Sequence, residues 1–144
     1  MVLQVVLFAV IAVAGGAGPA WGGSARSVSL VAGALLIGYG GLLSSAGLLG
    51  LRENLTPFPK PRDGSRLVDS GAYRLARHPI YGGLIVASFG WGLFTASPLA
   101  VLAALGLGVF FDLKSRREEI WLTAMFPDYP AYRSRTRRLV PWVY

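Results

Sequence analysis

Apolar and polar positions along this chain fall into long blocks rather than a fine alternation. Between Val2 and Leu51 the one charged residue is Arg26, and between Pro79 and Phe111 there is none. A helix rises ~1.5 Å per residue and needs roughly 17 to 25 residues to cross the hydrocarbon of a bilayer. The blocks therefore predict membrane-spanning helices. A first span, about residues 2 to 18, closes at Gly18-Pro19-Ala20-Trp21, and a second covers about residues 28 to 51. The block from 79 to 111 is too long for one crossing. Ser97-Pro98 divides it, because proline sits well as the first residue of a new helix. A tight hairpin of two short spans, about 79 to 96 and 98 to 113, is expected. Nothing basic precedes the first span, so it is expected to persist as a helix rather than be cleaved as a signal peptide. The predicted class is an all-α integral membrane protein: a single membrane domain over residues 1–144 with four transmembrane helices, the last two a helical hairpin, and an interfacial helical tail.

Charge sets the orientation. Residues 52–78 hold six Lys and Arg and residues 112–144 hold seven, whereas the turn after the first span contains Arg26 and the turn at Ser97 has none. The positive-inside rule then makes the loop over 52–78, the tail over 114–144 and both termini cytoplasmic in a multi-pass protein of the cell membrane. The balance of 14 basic against 7 acidic residues is read as topology signal and lipid contact, not as a nucleic-acid interface. With no Cys and one His, disulfide, thiolate and zinc chemistry fall away and no metal site is expected.

Small residues crowd the second span: Gly33, Gly38, Gly40, Gly41, Ser44, Ser45, Gly47 and Gly50. Pairs four apart, such as Gly40 with Ser44 and Ala46 with Gly50, share a helix face on which backbones approach closely, and the oligomeric state stays open because such faces pack within or between chains. Neither a GxGxxG nor a Walker pattern accompanies them. No span has an ionisable residue at its centre, where ion-coupled carriers need one. The chemistry is thus expected on the cytoplasmic rim, open to a soluble molecule on one side and to lipid on the other.

Two clusters stand on that rim. The loop, broken by Pro57, Pro59 and Pro61, leads into Gly71-Ala72-Tyr73-Arg74-Leu75-Ala76-Arg77-His78-Pro79-Ile80-Tyr81-Gly82. Pro79 would open the third span with His78 as its cap, and the free N–H groups of that helix end, with Arg74 and Arg77 beside them, suit a carboxylate. The bland alternative has both arginines reaching lipid phosphates. The second cluster is Asp112-Leu113-Lys114-Ser115-Arg116-Arg117-Glu118-Glu119-Ile120-Trp121-Leu122. On a continuing helix Lys114, Arg117, Glu118 and Trp121 share one face and Ser115, Arg116, Glu119 and Leu122 another. Either a solvated ion-paired face or an inward carboxylate results, and the spacing does not say which glutamate turns in.

The order Gly-x-Tyr-Arg-x-x-Arg-His-Pro-x-Tyr-x-Gly, then an apolar hairpin, then Glu-Glu-x-x-Leu and Phe-x-x-Tyr-x-x-Tyr, resembles the isoprenylcysteine carboxyl methyltransferase and phospholipid methyltransferase superfamily over residues 71–144. Pro127 departs from it, standing where the family usually has glycine. The resemblance implies a membrane methyltransferase that binds S-adenosylmethionine in a pocket closed by the last two spans and the tail. Arg77, His78, Pro79 and Tyr81 would line the cofactor pocket with Tyr73 and Gly82 beside them, and Glu118 and Glu119 would be the acidic pair. His78 is the one candidate for a general base. The implied acceptor is lipophilic: an isoprenylcysteine-type carboxylate, a phospholipid amine or a thiol. The alternatives are an NADPH-dependent membrane sterol-type reductase, whose related Arg-His-x-x-Tyr piece lacks the glutamate pair, and a non-catalytic membrane subunit.

Overall fold

The apolar blocks form helices in a computed structural model that describes residues 2–16, 21–51 and 66–144. In chain order these are α1 (Val2–Gly15), α2 (Gly23–Leu51), a 3-10 turn over Gly71–Arg74, α3 (Pro79–Phe94), α4 (Pro98–Met125) and α5 (Tyr129–Arg135). Among the described residues there is no strand; an isolated parallel bridge joins Ala76 to Arg137. The end of the expected first span and the prolines of the loop lie outside the described residues. By length and composition α2 and α4 are able to cross a membrane, while α1 and α3 are shorter apolar helices.

The helix ends have local causes. α2 starts at Gly23, ahead of the expected residue 28, because Arg26 does not interrupt it: its guanidinium donates to the Phe94 carbonyl across 2.5 Å, placing a cation on the last turn of α3. α3 stops at Phe94, and Ala96 turns the chain in the left-handed region at φ 53°. Ser97 then caps α4. Its hydroxyl accepts the Ala100 N–H at 3.2 Å and donates to the Ala14 carbonyl at 2.8 Å. Beyond residue 113 the helix continues to Met125, since Lys, Arg, Glu and Leu are good helix formers and Pro127 is the first breaker.

The chain forms two compact units. The first comprises the described part of Met1–Leu42 with Leu84–Phe110. In it Gly33 lies so close to α3 that a Cβ there would stand 2.5 Å from the Phe94 nitrogen and 2.6 Å from the Gly90 oxygen. Gly15 and Gly92 are similarly filled by Trp91 and Val101. The second unit comprises the described part of Leu43–Gly83 with Phe111–Tyr144. There the Ser44 hydroxyl donates to the Ile80 carbonyl at 3.1 Å, Gly47 meets Pro79 and Ile80, and Gly50 meets the Tyr73 ring. Of the two small-residue pairs expected from spacing, Gly40 and Ser44 are both buried, whereas Ala46 is exposed. Gly33 and Gly47 are buried on the same face of α2 as Gly40 and Ser44. Leu35, Leu42 and Leu49, seven apart, are exposed at 69%, 75% and 73%, a face suited to lipid rather than water.

Candidate functional site

The second unit brings both rim clusters together. The 3-10 turn and Pro79 set Arg77 and His78 at the entrance to α3, and α4 presents Glu118 and Glu119 one turn beyond Ser115, which is fully buried. Arg77 Nε donates to Glu119 Oε1 at 2.7 Å. Its NH1 also donates to the carbonyls of Arg133, at 3.1 Å, and Thr136. His78 stands between the two carboxylates, with Nδ1 3.3 Å from Glu118 Oε2 and Nε2 3.5 Å from Glu119 Oε1. Tyr81 donates to Glu118 Oε1 at 2.7 Å and stacks between His78 and Phe111, with Lys114 Nζ 4.8 Å from its ring centre. Both glutamates therefore turn inward, Glu119 at 4% and Glu118 at 12% exposure. They form two edges of one buried arc, while Arg116 and Arg117 stay exposed.

The remaining candidates have structural parts in this arrangement. Pro79 is fully buried at the start of α3. Gly82 lies under the tail, where a Cβ would come within 1.8 Å of the Leu139 oxygen. Tyr73 is buried against Gly50, and its carbonyl accepts the Tyr132 hydroxyl at 2.6 Å. The helix end expected to stand open to an anion is partly occupied by the chain itself: the N–H groups of Arg77 and His78 donate to the carbonyls of Arg137 and Arg138 at 2.8 and 2.9 Å. Arg74 is exposed.

The resemblance implied that the tail closes the pocket, but no tail residue was singled out for it. Arg138 Nε is 3.4 Å from Glu119 Oε1 and Arg133 Nε is 3.7 Å from Glu119 Oε2. Tyr129, 1% exposed, belongs to the same buried region. Tyr129 stands in the Phe-x-x-Tyr-x-x-Tyr motif, whereas for Arg133 and Arg138 the signal was composition alone, arginines among aromatics and prolines, which an interfacial segment shares.

Electrostatics follow from these contacts. Burial disfavours the charge on Glu119, but the His78 ring and the Arg77 guanidinium beside it outweigh this and hold the carboxyl at about 2. Burial likewise opposes a charge on His78, yet Glu118 and Glu119 together raise its pKa above the ordinary value. Burial, first of all, pushes the phenols of Tyr73, Tyr129 and Tyr132 up, so they remain hydrogen-bond donors. Three buried polar atoms have no hydrogen-bond partner among the described residues: His78 Nε2, Tyr129 Oη and Arg138 Nε. No group of three or more His, Asp or Glu placed to hold a metal ion occurs among the described residues.

A family model described as phospholipid methyltransferase matches residues 28–129. The cobalt-zinc-cadmium resistance protein CzcN of Cupriavidus metallidurans is 37% identical over 82 residues, 56% of this chain and 38% of that protein. The protein-S-isoprenylcysteine O-methyltransferase of Mus musculus is 30% identical over 115 residues, 77% of this chain and 41% of that protein. Methanethiol S-methyltransferase 1 of Bradyrhizobium diazoefficiens is 37% identical over 71 residues, 49% of this chain and 24% of that protein. The chain thus spans less than half the length of these relatives.

Proposed function

The chain belongs to the phospholipid methyltransferase family, within the superfamily that includes the isoprenylcysteine methyltransferases, and from that membership we propose that it transfers a methyl group from S-adenosylmethionine to a lipophilic acceptor at the cytoplasmic face of the cell membrane. Residues 1–144 act as one membrane domain with four crossings, the last two a hairpin, and with loop and tail on the cytoplasmic side. The observation that carries the reading is the buried meeting of Arg77 and His78 with Glu118 and Glu119.

The donor set fits this cofactor. His78 Nε2, Tyr129 Oη and Arg138 Nε are buried polar atoms without a protein hydrogen bond, and such atoms are costly unless a ligand or water completes them. Cationic and phenolic groups suit a carboxylate, the two glutamates suit an ammonium or ribose hydroxyls, and the ring of Tyr81 suits a cation or an adenine face. When bound, S-adenosylmethionine supplies a methyl group on an already activated sulfonium. The chain's part is to orient the two reactants and exclude water. Tyr73, Arg77, Pro79 and Gly82 hold the pocket's frame, and Glu118, Glu119, His78 and Tyr81 line it. Held between the two carboxylates, His78 orients its neighbours rather than serving as a base. Relatives named for isoprenylcysteine and for methanethiol make a thioether-bearing carboxylate or a thiol the leading acceptors, neither of which needs a base when ionised; a phospholipid amine is the third.

Calorimetry of detergent-purified protein with S-adenosylmethionine, S-adenosylhomocysteine and NADPH tests the cofactor. Binding of the first two is expected. Binding of NADPH alone, or of none to folded protein, rejects the reading. A labelled methyl donor offered with each acceptor class then identifies the acceptor.

A further inference from the structure

Asp112 stands at the end of the uncharged block, two turns of α4 before Glu119, and has no part in the site described above. Its carboxylate nevertheless collects three donors from separate places. Arg116 Nε donates to Oδ2 at 2.7 Å, and Arg138 NH1 and the Tyr144 hydroxyl donate to Oδ1 at 3.1 Å each. The Tyr144 hydroxyl also accepts from Arg138 NH1 at 2.9 Å and from Arg116 NH2 at 3.0 Å. The tail is folded back to permit this: the N–H groups of Leu139 and Val140 donate to the Tyr144 carbonyl oxygen at 2.7 and 2.8 Å, and the Arg138 guanidinium lies 5.5 Å from the Tyr144 ring centre.

The other side of Arg138 faces the site. Its Nε lies 3.4 Å from Glu119 Oε1 without a hydrogen bond, a charge contact only, and its carbonyl accepts the His78 N–H at 2.9 Å. One residue thereby touches both halves of the cluster, by backbone to the α3 entrance and by side chain to α4. We propose that Asp112 and Tyr144 are positioning residues, which hold Arg138 so that its carbonyl fixes His78 and its guanidinium faces Glu119. This rests on the site reading given above. Asp112 and Tyr144 act through Arg138 and touch neither glutamate of the site.

The physical reason is that an arginine side chain is long and loses much rotamer freedom when ordered. A planar guanidinium clamped at NH1 keeps its delocalised charge beside Glu119, which a lysine in its place would not reproduce. Without the clamp Arg138 is free to turn to solvent or lipid phosphate, and Glu119 is then less neutralised beside His78.

The chain has one histidine, so protein labelled with nitrogen-15 histidine reports His78 alone by NMR, with or without ligand. The charged and titratable groups facing it are Glu118 and Glu119 from α4, Arg77 and Tyr81 from its own segment and Arg138 from the tail, with Arg133 of α5 reaching Glu119. In D112N and Y144F the His78 titration midpoint is expected to rise by about 0.5 to 1 pH unit as Arg138 withdraws from Glu119, and S-adenosylmethionine binding to weaken about five- to tenfold. D112E keeps both near wild type, R138K reproduces both changes, and D112N/Y144F adds little to D112N because the two act on one guanidinium. Y144F removes a single oxygen from a part-exposed ring and decides the matter if D112N fails to fold. An unchanged His78 titration in folded D112N or Y144F overturns the proposal. Failure of the wild type to bind S-adenosylmethionine, with the His78 change still present, removes the cofactor reading and leaves the positioning role intact.

Discussion

Arg77 and Glu119, 42 residues apart, are joined by a 2.7 Å hydrogen bond with side chains only 7% and 4% exposed. Glu119 also has His78 and Arg138 within 3.5 Å. Removing one partner of a buried ion pair leaves the other uncompensated, at a cost of about 3 to 5 kcal/mol. Glu119→Gln is expected to lower the thermal unfolding midpoint in detergent and to weaken S-adenosylmethionine binding at least tenfold where the protein folds. A midpoint and affinity equal to wild type would remove Glu119 from the centre of the cluster.

The tail's contact with α3 gives a second expectation. Gly82 leaves no room for a Cβ, because the Leu139 carbonyl already lies there and backbone does not yield as a side chain does. Gly82→Ala should displace the segment around Leu139 from the α3 entrance, with the loss of the Arg77 and His78 backbone bonds and roughly 1 to 3 kcal/mol. Limited trypsin treatment reads this directly, since Arg135 and Arg137 are exposed tail residues. Cleavage there should accelerate in the variant, and an unchanged digestion pattern would mean the tail is held elsewhere.

How far the molecule was legible in its sequence depends on whether a neighbour decides the feature. The starts of α3 and α4 were legible because Pro79 and Pro98 act within one turn. The meeting of Arg77-His78 with Glu118-Glu119 was legible as a motif pair, although spacing left open which glutamate faces inward; both do. The role of Arg138 was not legible. It depends on the path of residues 136–140 across the α3 entrance, which no periodicity encodes. For the same reason an open helix end was expected where the Arg138 carbonyl takes the His78 N–H. Among eight small residues of α2, the ones packed closely are chosen by α3, not by their own sequence.

Two glycines of α2 separate these causes. A Cβ at Gly33 would meet the backbone of Gly90 and Phe94 at 2.5 to 2.6 Å, whereas one at Gly38 would meet nothing within 4 Å. Gly33→Ala should therefore destabilise by roughly 1 to 3 kcal/mol. Gly38→Ala should be neutral or stabilising by up to about 1 kcal/mol, since alanine restricts the unfolded chain and favours helix. Unfolding midpoints of the two variants in the same detergent make the comparison, and equal effects would contradict the packed face.

Orientation is tested by single cysteines in a chain that has none of its own. Ser70, exposed before the 3-10 turn, and Leu99, 59% exposed in the first turn of α4, lie at opposite ends of α3 and its turn. With the loop and tail cytoplasmic, a membrane-impermeant thiol reagent should label Leu99→Cys in intact cells, and Ser70→Cys only after permeabilisation. The reverse pattern would invert the proposed topology.

The ion cluster also sets a pH window. Glu119 has its carboxyl held at about 2 in the folded chain against an ordinary 4.5. Its stabilising contribution is full above about pH 4.5 and is lost as pH falls towards 2. His78 has the opposite sign. Its pKa is raised from 6.5 despite burial, through Glu118 and Glu119, so its contribution is full below about pH 6.5 and is lost as pH rises through the raised value. The cluster as a whole should stabilise most between those limits. Unfolding midpoints measured from pH 3 to 9 (on the order of the span both groups cover) are expected to fall at both ends in the wild type. In Glu119→Gln the acid fall should flatten, because the group that must take up a proton is gone, and the alkaline fall should weaken as His78 loses one of its two carboxylates. Parallel profiles in the two proteins would place the titrating groups outside this cluster.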